Sequence, residues 1–168
     1  LELAGLPWAK DLVHVAYGMV SLEDGAMSTR KGNVVLLRDV INKAVSKADE
    51  IITAKNPNLP DKAKVAEQVG IGAVLFSALE NSKIKDITFT FDRVLNFDGE
   101  TAPYLQYTRA RCNSIVEKAG NGADVKIMPD FNALDNVETL RLCKLLAMFP
   151  SVVKDAAFKY EPSILSGY

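Results

Sequence analysis

Residues 61–79 constrain this chain more than any other stretch. The segment starts polar, with Lys62, Lys64, Glu67 and Gln68, and is almost wholly apolar from residue 69 to residue 79. Asp61 opens it as a helix, behind the breaker Asn56-Pro57-Asn58-Leu59-Pro60. Residues 69–79 have so little polar face that they need cover on most sides, and they are the expected buried spine. Gly70 and Gly72 stand where the character changes and fit close helix packing or a kink. Ahead of the breaker, Asp39 is placed to cap a helix reaching about Lys55. Its apolar positions Val40, Ile41, Ala44, Val45, Ala48, Ile51 and Ile52 form one broad stripe, with Asn42, Lys43, Lys47 and Glu50 opposite. A mainly α architecture follows.

The remaining elements arrange themselves around that spine. Residues 83–91 read as a short extended segment, with Ile87, Phe89 and Phe91 alternating against Thr88 and Thr90. A loop over residues 96–101, centred on Asp98-Gly99, leads to Thr101 as a helix cap with Pro103 in the first turn. That helix reaches about Ala119 and stops at Gly120-Asn121-Gly122. Leu105, Thr108, Cys112, Ile115, Val116 and Ala119 make its expected inward face, and Tyr104, Tyr107 and Arg111 a neighbouring stripe. Residues 120–135 are loop-like. Helices are expected at about 136–148 and 151–160, broken by Pro150, with another starting at Pro162-Ser163. Leu140, Leu142, Cys143, Leu145, Leu146, Ala147 and Met148 surround most of the first of these, which therefore needs partners on several sides. Residues 1–10 look like a lead-in from a preceding domain. The expected division falls at 1–95 and 96–168.

One stretch points to chemistry. Val13, Val15, Tyr17, Met19 and Val20 suggest a short buried strand, and residues 34–37 a second β-rich run. Between them lies a hairpin-like excursion long enough to be functional. Its tip carries Ser28, Thr29, Arg30, Lys31 and Gly32. Hydroxyls and backbone N–H groups donate to phosphate oxygens, cations add charge, and glycine lets the main chain approach. Read alone, the cluster fits a solvated surface turn as well as a phosphate contact.

Composition narrows the class. Over 168 residues the net charge is −1, so any nucleic-acid surface has to be local. Cys112 and Cys143 lack partners at metal spacing and His14 is the only histidine, which argues against zinc or disulfide frameworks and suits a reducing cytoplasm. No apolar run reaches membrane-spanning length. A first residue of Leu and an end at Gly167-Tyr168 read as a piece of a larger protein.

Met27-Ser28-Thr29-Arg30 resembles the last four positions of the KMSKS loop of class I aminoacyl-tRNA synthetases, with Ala26 at its first lysine. The form MSTRKGNVV, preceded by HVAYGMV, is similar to that of arginyl-tRNA synthetases. The run FDGETAPYLQYTRAR over residues 97–111 resembles that family's entry into its helical anticodon-binding domain. The resemblance spans about residues 11–168, in family order. It implies the end of a Rossmann-type catalytic domain contributing a small β element, a helical connector, and a truncated anticodon-binding bundle of the DALR type.

The resemblance also implies roles. A loop of this kind closes on ATP, accompanied by Mg²⁺, while arginine is activated to its adenylate before transfer to tRNA. No protein-bound metal is implied. Thr29 stands where the general pattern has its catalytic second lysine, so Arg30 or Lys31 is the expected cation, with a lysine elsewhere as the rival. His14, Tyr17, Gly18 and Met19 match the segment beside the adenine, joined by Met27, Ser28 and Thr29 as ATP contacts. His14 fits a core histidine equally well. Tyr104, Gln106, Tyr107 and Arg111 match positions facing the tRNA, and the loop with Asp98 and Gly99 approaches it too. Both tyrosines fit packing between helices as a bland alternative. The arginine pocket and the HIGH signature are not in these residues, so this piece alone is expected to be inactive. The expected setting is a cytoplasmic monomer, with tRNA, ATP and L-arginine as partners and no membrane. Two rivals remain: a non-catalytic helical tRNA-binding module, and another class I enzyme such as cysteinyl-tRNA synthetase, against which YLQY and MSTRKG argue.

Overall fold

The computed structural model describes residues 1–22, 35–96, 99–120 and 131–168. Two short 3-10 turns, Glu2–Ala4 and Ala9–Asp11, open the chain. Strand β1 (Val20–Leu22) follows. Next come helices α1 (Leu37–Lys55) and α2 (Lys62–Leu79), strand β2 (Ile87–Phe89) and the single turn α3 (Phe91–Val94). Helix α4 (Ala102–Lys118), a 3-10 turn Phe131–Ala133, helix α5 (Val137–Phe158) and helix α6 (Ser163–Gly167) complete it. Among the described residues, no helix is long and apolar enough to cross a membrane.

Helix α2 is the hub: it packs on α1, α3, α4 and α6. The α1–α2 contact is built from small residues. Ala44 and Ala48 of α1 and Ala66 and Ala73 of α2 are buried, joined by Ile52, Val69 and Val74. A Cβ at Gly70 would come within 2.7 Å of the Val45 Cα and backbone nitrogen, so glycine is what allows the two helices this close. Of the two expectations for Gly70, close packing is the one realised. The spine is not buried throughout, however. Leu75 and Leu79 are exposed, because the described elements cover α2 on some faces and leave these outward. Phe89 closes the core beside Val94 and Leu95 and meets Phe91 edge-on, with ring centroids 5.2 Å apart.

Several local expectations give way. The strand is only three residues long, and Val13, Val15, Tyr17 and Met19 precede it as exposed irregular chain. Its partner is β2, in parallel register with Val20 opposite Ile87 and Leu22 opposite Phe89. No hairpin forms with residues 35–37: Val35 and Leu36 are irregular and Leu37 already begins α1, while Val34 lies outside the described residues. Leu36 rather than Asp39 holds the N-cap of α1, with Asp39 in the first turn where its charge favours the helix N-terminus. Pro150 does not divide α5, which runs unbroken for 22 residues. Proline deletes one amide donor, and a helix held by bonds on both sides tolerates that loss.

Candidate functional site

The first candidate region is the approach to β1. Gly18 donates its N–H to the Lys83 carbonyl at 2.7 Å, and Met19 donates its own to Asp86 Oδ1 at 2.7 Å. Ile87 returns a bond to the Met19 carbonyl at 2.9 Å, which starts the β1–β2 ladder. A Cβ on Gly18 would sit 2.4 Å from the Lys85 carbonyl carbon and oxygen, so no larger residue fits against this turn. Ser21 Oγ lies 3.3 Å from Thr88 Oγ1 across the pair. The backbone of residues 18–22 is thus pinned to residues 83–89. The side chains point outward instead: Tyr17 is 84% exposed, and His14 and Met19 are exposed as well. Among the described residues, His14 packs into no core. Met27, Ser28, Thr29, Arg30 and Lys31 lie outside the described residues.

The second region is the start of α4. Thr101, buried, accepts the Tyr104 N–H at 3.4 Å and donates to the Asn96 carbonyl at 2.6 Å. One hydroxyl therefore caps the helix and ties it to the preceding loop, with Pro103 in the first turn as expected. In that loop Gly99 takes φ +95°, a conformation glycine adopts without strain, while Phe97 and Asp98 lie outside the described residues. Tyr104 and Tyr107 are 47% and 51% exposed, and the Arg111 guanidinium stands 5.7 Å from the Tyr107 ring centroid. Among the described residues these three lie on one exposed aromatic and cationic face.

Gln106 belongs elsewhere. On an α-helix it lies about 200° round from Tyr104, and its Nε2 donates to the Gln68 carbonyl of α2 at 3.1 Å. Its Oε1 is buried without a hydrogen-bond partner among the described residues. The matched stripe thus splits: Tyr104, Tyr107 and Arg111 face out, and Gln106 docks α4 on α2. The expected inward face of α4 is also open, since Leu105, Cys112, Ile115 and Val116 are exposed. Only Ala102 and Pro103 of that helix are buried. The apolar residues Leu140, Leu142, Leu145, Leu146 and Met148 on α5 are exposed likewise.

A third set of contacts was not legible in the sequence. Glu161 Oε1 accepts the Lys83 N–H at 3.1 Å and the Ser163 hydroxyl at 2.7 Å, while Oε2 takes the Lys83 ammonium at 3.1 Å. Lys83 Nζ also donates to the Lys159 carbonyl at 3.0 Å. The Ser163 hydroxyl and then the Lys83 amide hold the Glu161 carboxyl down at about 2, with the Lys83 ammonium acting in the same direction. Nearby, burial pushes the Glu80 carboxyl up, against the pull of Arg93 at 3.1 Å.

Residues 2–91 match the family described as tRNA synthetases class I (R), catalytic domain, and residues 105–168 match the DALR anticodon binding domain. An arginine–tRNA ligase of Halothermothrix orenii is 49% identical over 166 residues, covering 99% of this chain and 29% of that protein. One from Clostridioides difficile is 46% identical over 168 residues, covering 100% and 29%. Among solved structures, Thermus thermophilus arginyl-tRNA synthetase superposes with a TM-score of 0.86 at 36% identity, covering all of this chain and 27% of that one. Arginyl-tRNA synthetase from Plasmodium falciparum shares the fold, with a TM-score of 0.70 at 19% identity over 92% of this chain and 26% of that one. The chain thus spans less than a third of the length of these relatives. With a catalytic-domain match over its first half and an anticodon-binding match over its second, the chain belongs to the class I (R) tRNA synthetases.

Proposed function

We propose that this chain is the part of an arginine–tRNA ligase that joins the end of its catalytic domain, residues 1–95, to the start of its anticodon-binding helices, residues 96–168. The observation that carries the reading is the succession of the two family matches along one chain, with a relative 49% identical over nearly all of it. In the full-length protein the arginine carboxylate attacks the α-phosphorus of ATP. The bond to the β-phosphate breaks and pyrophosphate leaves. A tRNA ribose hydroxyl then attacks the adenylate carbonyl, and AMP departs.

Negative charge grows on the α-phosphoryl oxygens and on pyrophosphate, which is where Arg30 and Lys31 lower the barrier. Met27, Ser28 and Thr29 contact ATP, with Mg²⁺ accompanying the nucleotide as part of the substrate. Tyr17 offers an exposed ring face to the adenine from a backbone held by its neighbours Gly18 and Met19. On the tRNA side, Tyr104 and Tyr107 stack on loop bases and Arg111 pairs with phosphate, while Gln106 keeps α4 seated on α2. We place the protein in the cytoplasm as a monomer, where the exposed thiols of Cys112 and Cys143 stay reduced.

The test is arginine-dependent exchange of pyrophosphate into ATP by the full-length protein. Replacing Arg30 and Lys31 together by Ala is expected to lower kcat while leaving the KM for arginine near its original value. An unchanged kcat would move the catalytic cation to another residue, and absence of exchange in the unaltered protein, with tRNA present, would remove the reading.

A further inference from the structure

The turn over residues 82–86 is held from two sides. On one side it carries the candidate nucleotide segment: the Lys83 carbonyl accepts the Gly18 N–H, and Asp86 accepts the Met19 N–H. On the other side it is gripped by the corner between α5 and α6. That corner is shaped by a left-handed residue, Tyr160 at φ +50°. The Glu161 N–H bonds back to the Ala156 carbonyl at 2.9 Å and the Tyr160 N–H to the Ala157 carbonyl at 3.2 Å. This is the pair of bonds that closes a helix with a reversal of the chain.

The reversal aims Glu161 back at residue 83 and leaves the Lys159 carbonyl at the helix C-terminus open to the Lys83 ammonium. A cation at that end is favoured by the helix dipole as well as by the carboxylate. The Glu161 side chain is only 16% exposed and the Lys83 side chain 26%, so solvent screens the pair less than it would a free surface pair. Ser166 adds a bond from its hydroxyl to the Leu79 carbonyl at 3.2 Å, beside the same junction.

We propose that Glu161 is a positioning residue for the nucleotide segment Tyr17–Gly18–Met19, acting through Lys83. It lies in the part of the chain matched to anticodon binding, and its hydrogen bonds to Lys83 and Ser163 reach none of His14, Tyr17, Gly18 and Met19 directly. Lys83 is the link, because its N–H is held by Glu161 while its carbonyl, in the next peptide unit across one Cα, receives Gly18. A shift of Glu161 is passed to Gly18 through one residue. Gly18 stands close against the same turn, since a Cβ there would lie 2.4 Å from the Lys85 carbonyl. The inference rests on the reading of Tyr17–Met19 as the adenine side of an arginine–tRNA ligase.

The experiment uses the full-length protein with Glu161→Ala, Lys83→Ala and the double variant. KM for ATP, KM for arginine, the Kd for tRNA and the melting temperature are measured for each. Glu161→Ala is expected to raise the KM for ATP about tenfold, with the KM for arginine and the tRNA Kd changed less than about twofold. Lys83→Ala should do less, because its amide bonds survive. The double variant should be no worse than Glu161→Ala alone, since both act through one contact. Ser163→Ala, which removes a single bond to Glu161, gives a milder shift in the same direction should Glu161→Ala fail to fold. An unaltered KM for ATP in folded variants overturns the inference. So do effects that multiply in the double variant, or constants for all three substrates that drift together with a falling melting temperature. Unaltered protein that charges no tRNA with arginine would overturn the inference and the functional reading together. Charging by the unaltered protein with a KM for ATP indifferent to Glu161 would sink the inference alone.

Discussion

Tyr107 poses the choice between a core residue and a binding residue, and tRNA affinity set against stability decides it. The residue is half-exposed, with a guanidinium above its ring. Tyr107→Ala in the full-length protein is therefore expected to weaken tRNA binding by about 1–3 kcal/mol by filter binding, with little change in melting temperature. Tyr107→Phe should be mild, because stacking uses the ring. A large loss of stability with unaltered tRNA affinity would return Tyr107 to the core. Thr101 is the opposite case, buried and bonded at both ends of its hydroxyl. Thr101→Ala should cost about 1–2 kcal/mol in chemical denaturation, and Thr101→Ser should recover most of it. Thr101 and Pro103 were legible as a helix start because a cap depends on residues three or four apart. Gln106 was less so: the family pattern groups it with the tyrosines, but helix geometry turns it onto α2. Glu161 was not legible at all, since its partner Lys83 lies 78 residues away and no local pattern joins them.

At the scale of elements, α1 and α2 were readable because their apolar stripes and the breaker between them are local signals. Gly70 carries their contact, so Gly70→Ala should destabilise by about 1–3 kcal/mol in a denaturant titration, despite alanine's better helix propensity. A stabilised variant would mean that the helices have room at this point. Helix α5 was misread at Pro150 because a sequence shows the lost donor but not the bonds that outvote it. The strand before residue 20 was misread for a related reason: apolar content makes a strand possible, yet pairing comes from β2, 67 residues on. The junction between α5 and α6 has its own pH signature. In the folded chain the Glu161 carboxyl is held at about 2, against an ordinary 4.5. An unfolded chain takes up that proton first as pH falls. The contribution of Glu161 is therefore complete above about pH 4.5 and disappears as pH drops toward 2. Melts across that window should fall more steeply for the unaltered protein than for Glu161→Gln. Parallel curves would mean the carboxylate is not engaged.

The whole molecule shows a contrast between its halves. The first part has a buried core of small and branched residues around α2, whereas α4 and α5 present apolar faces to solvent. Exposed apolar area on this scale marks a surface that something else covers, and the chain spans only 29% of relatives of known length. The isolated 168-residue chain is thus expected to bind an apolar fluorescent dye strongly, and the full-length protein weakly. Equal binding by both would mean that α5 stays open in the complete protein. The proposed reaction class came through family motifs more than through folding physics, because no local pattern in residues 27–31 separates a nucleotide loop from a solvated turn. Charging by the purified full-length protein, with tRNA, ATP and each amino acid supplied in turn, decides most directly whether it is an arginine–tRNA ligase. Arginine alone is expected to become esterified to tRNA, with release of AMP and pyrophosphate. Transfer of another amino acid in its place, or tRNA binding with no charging at all, would contradict that expectation.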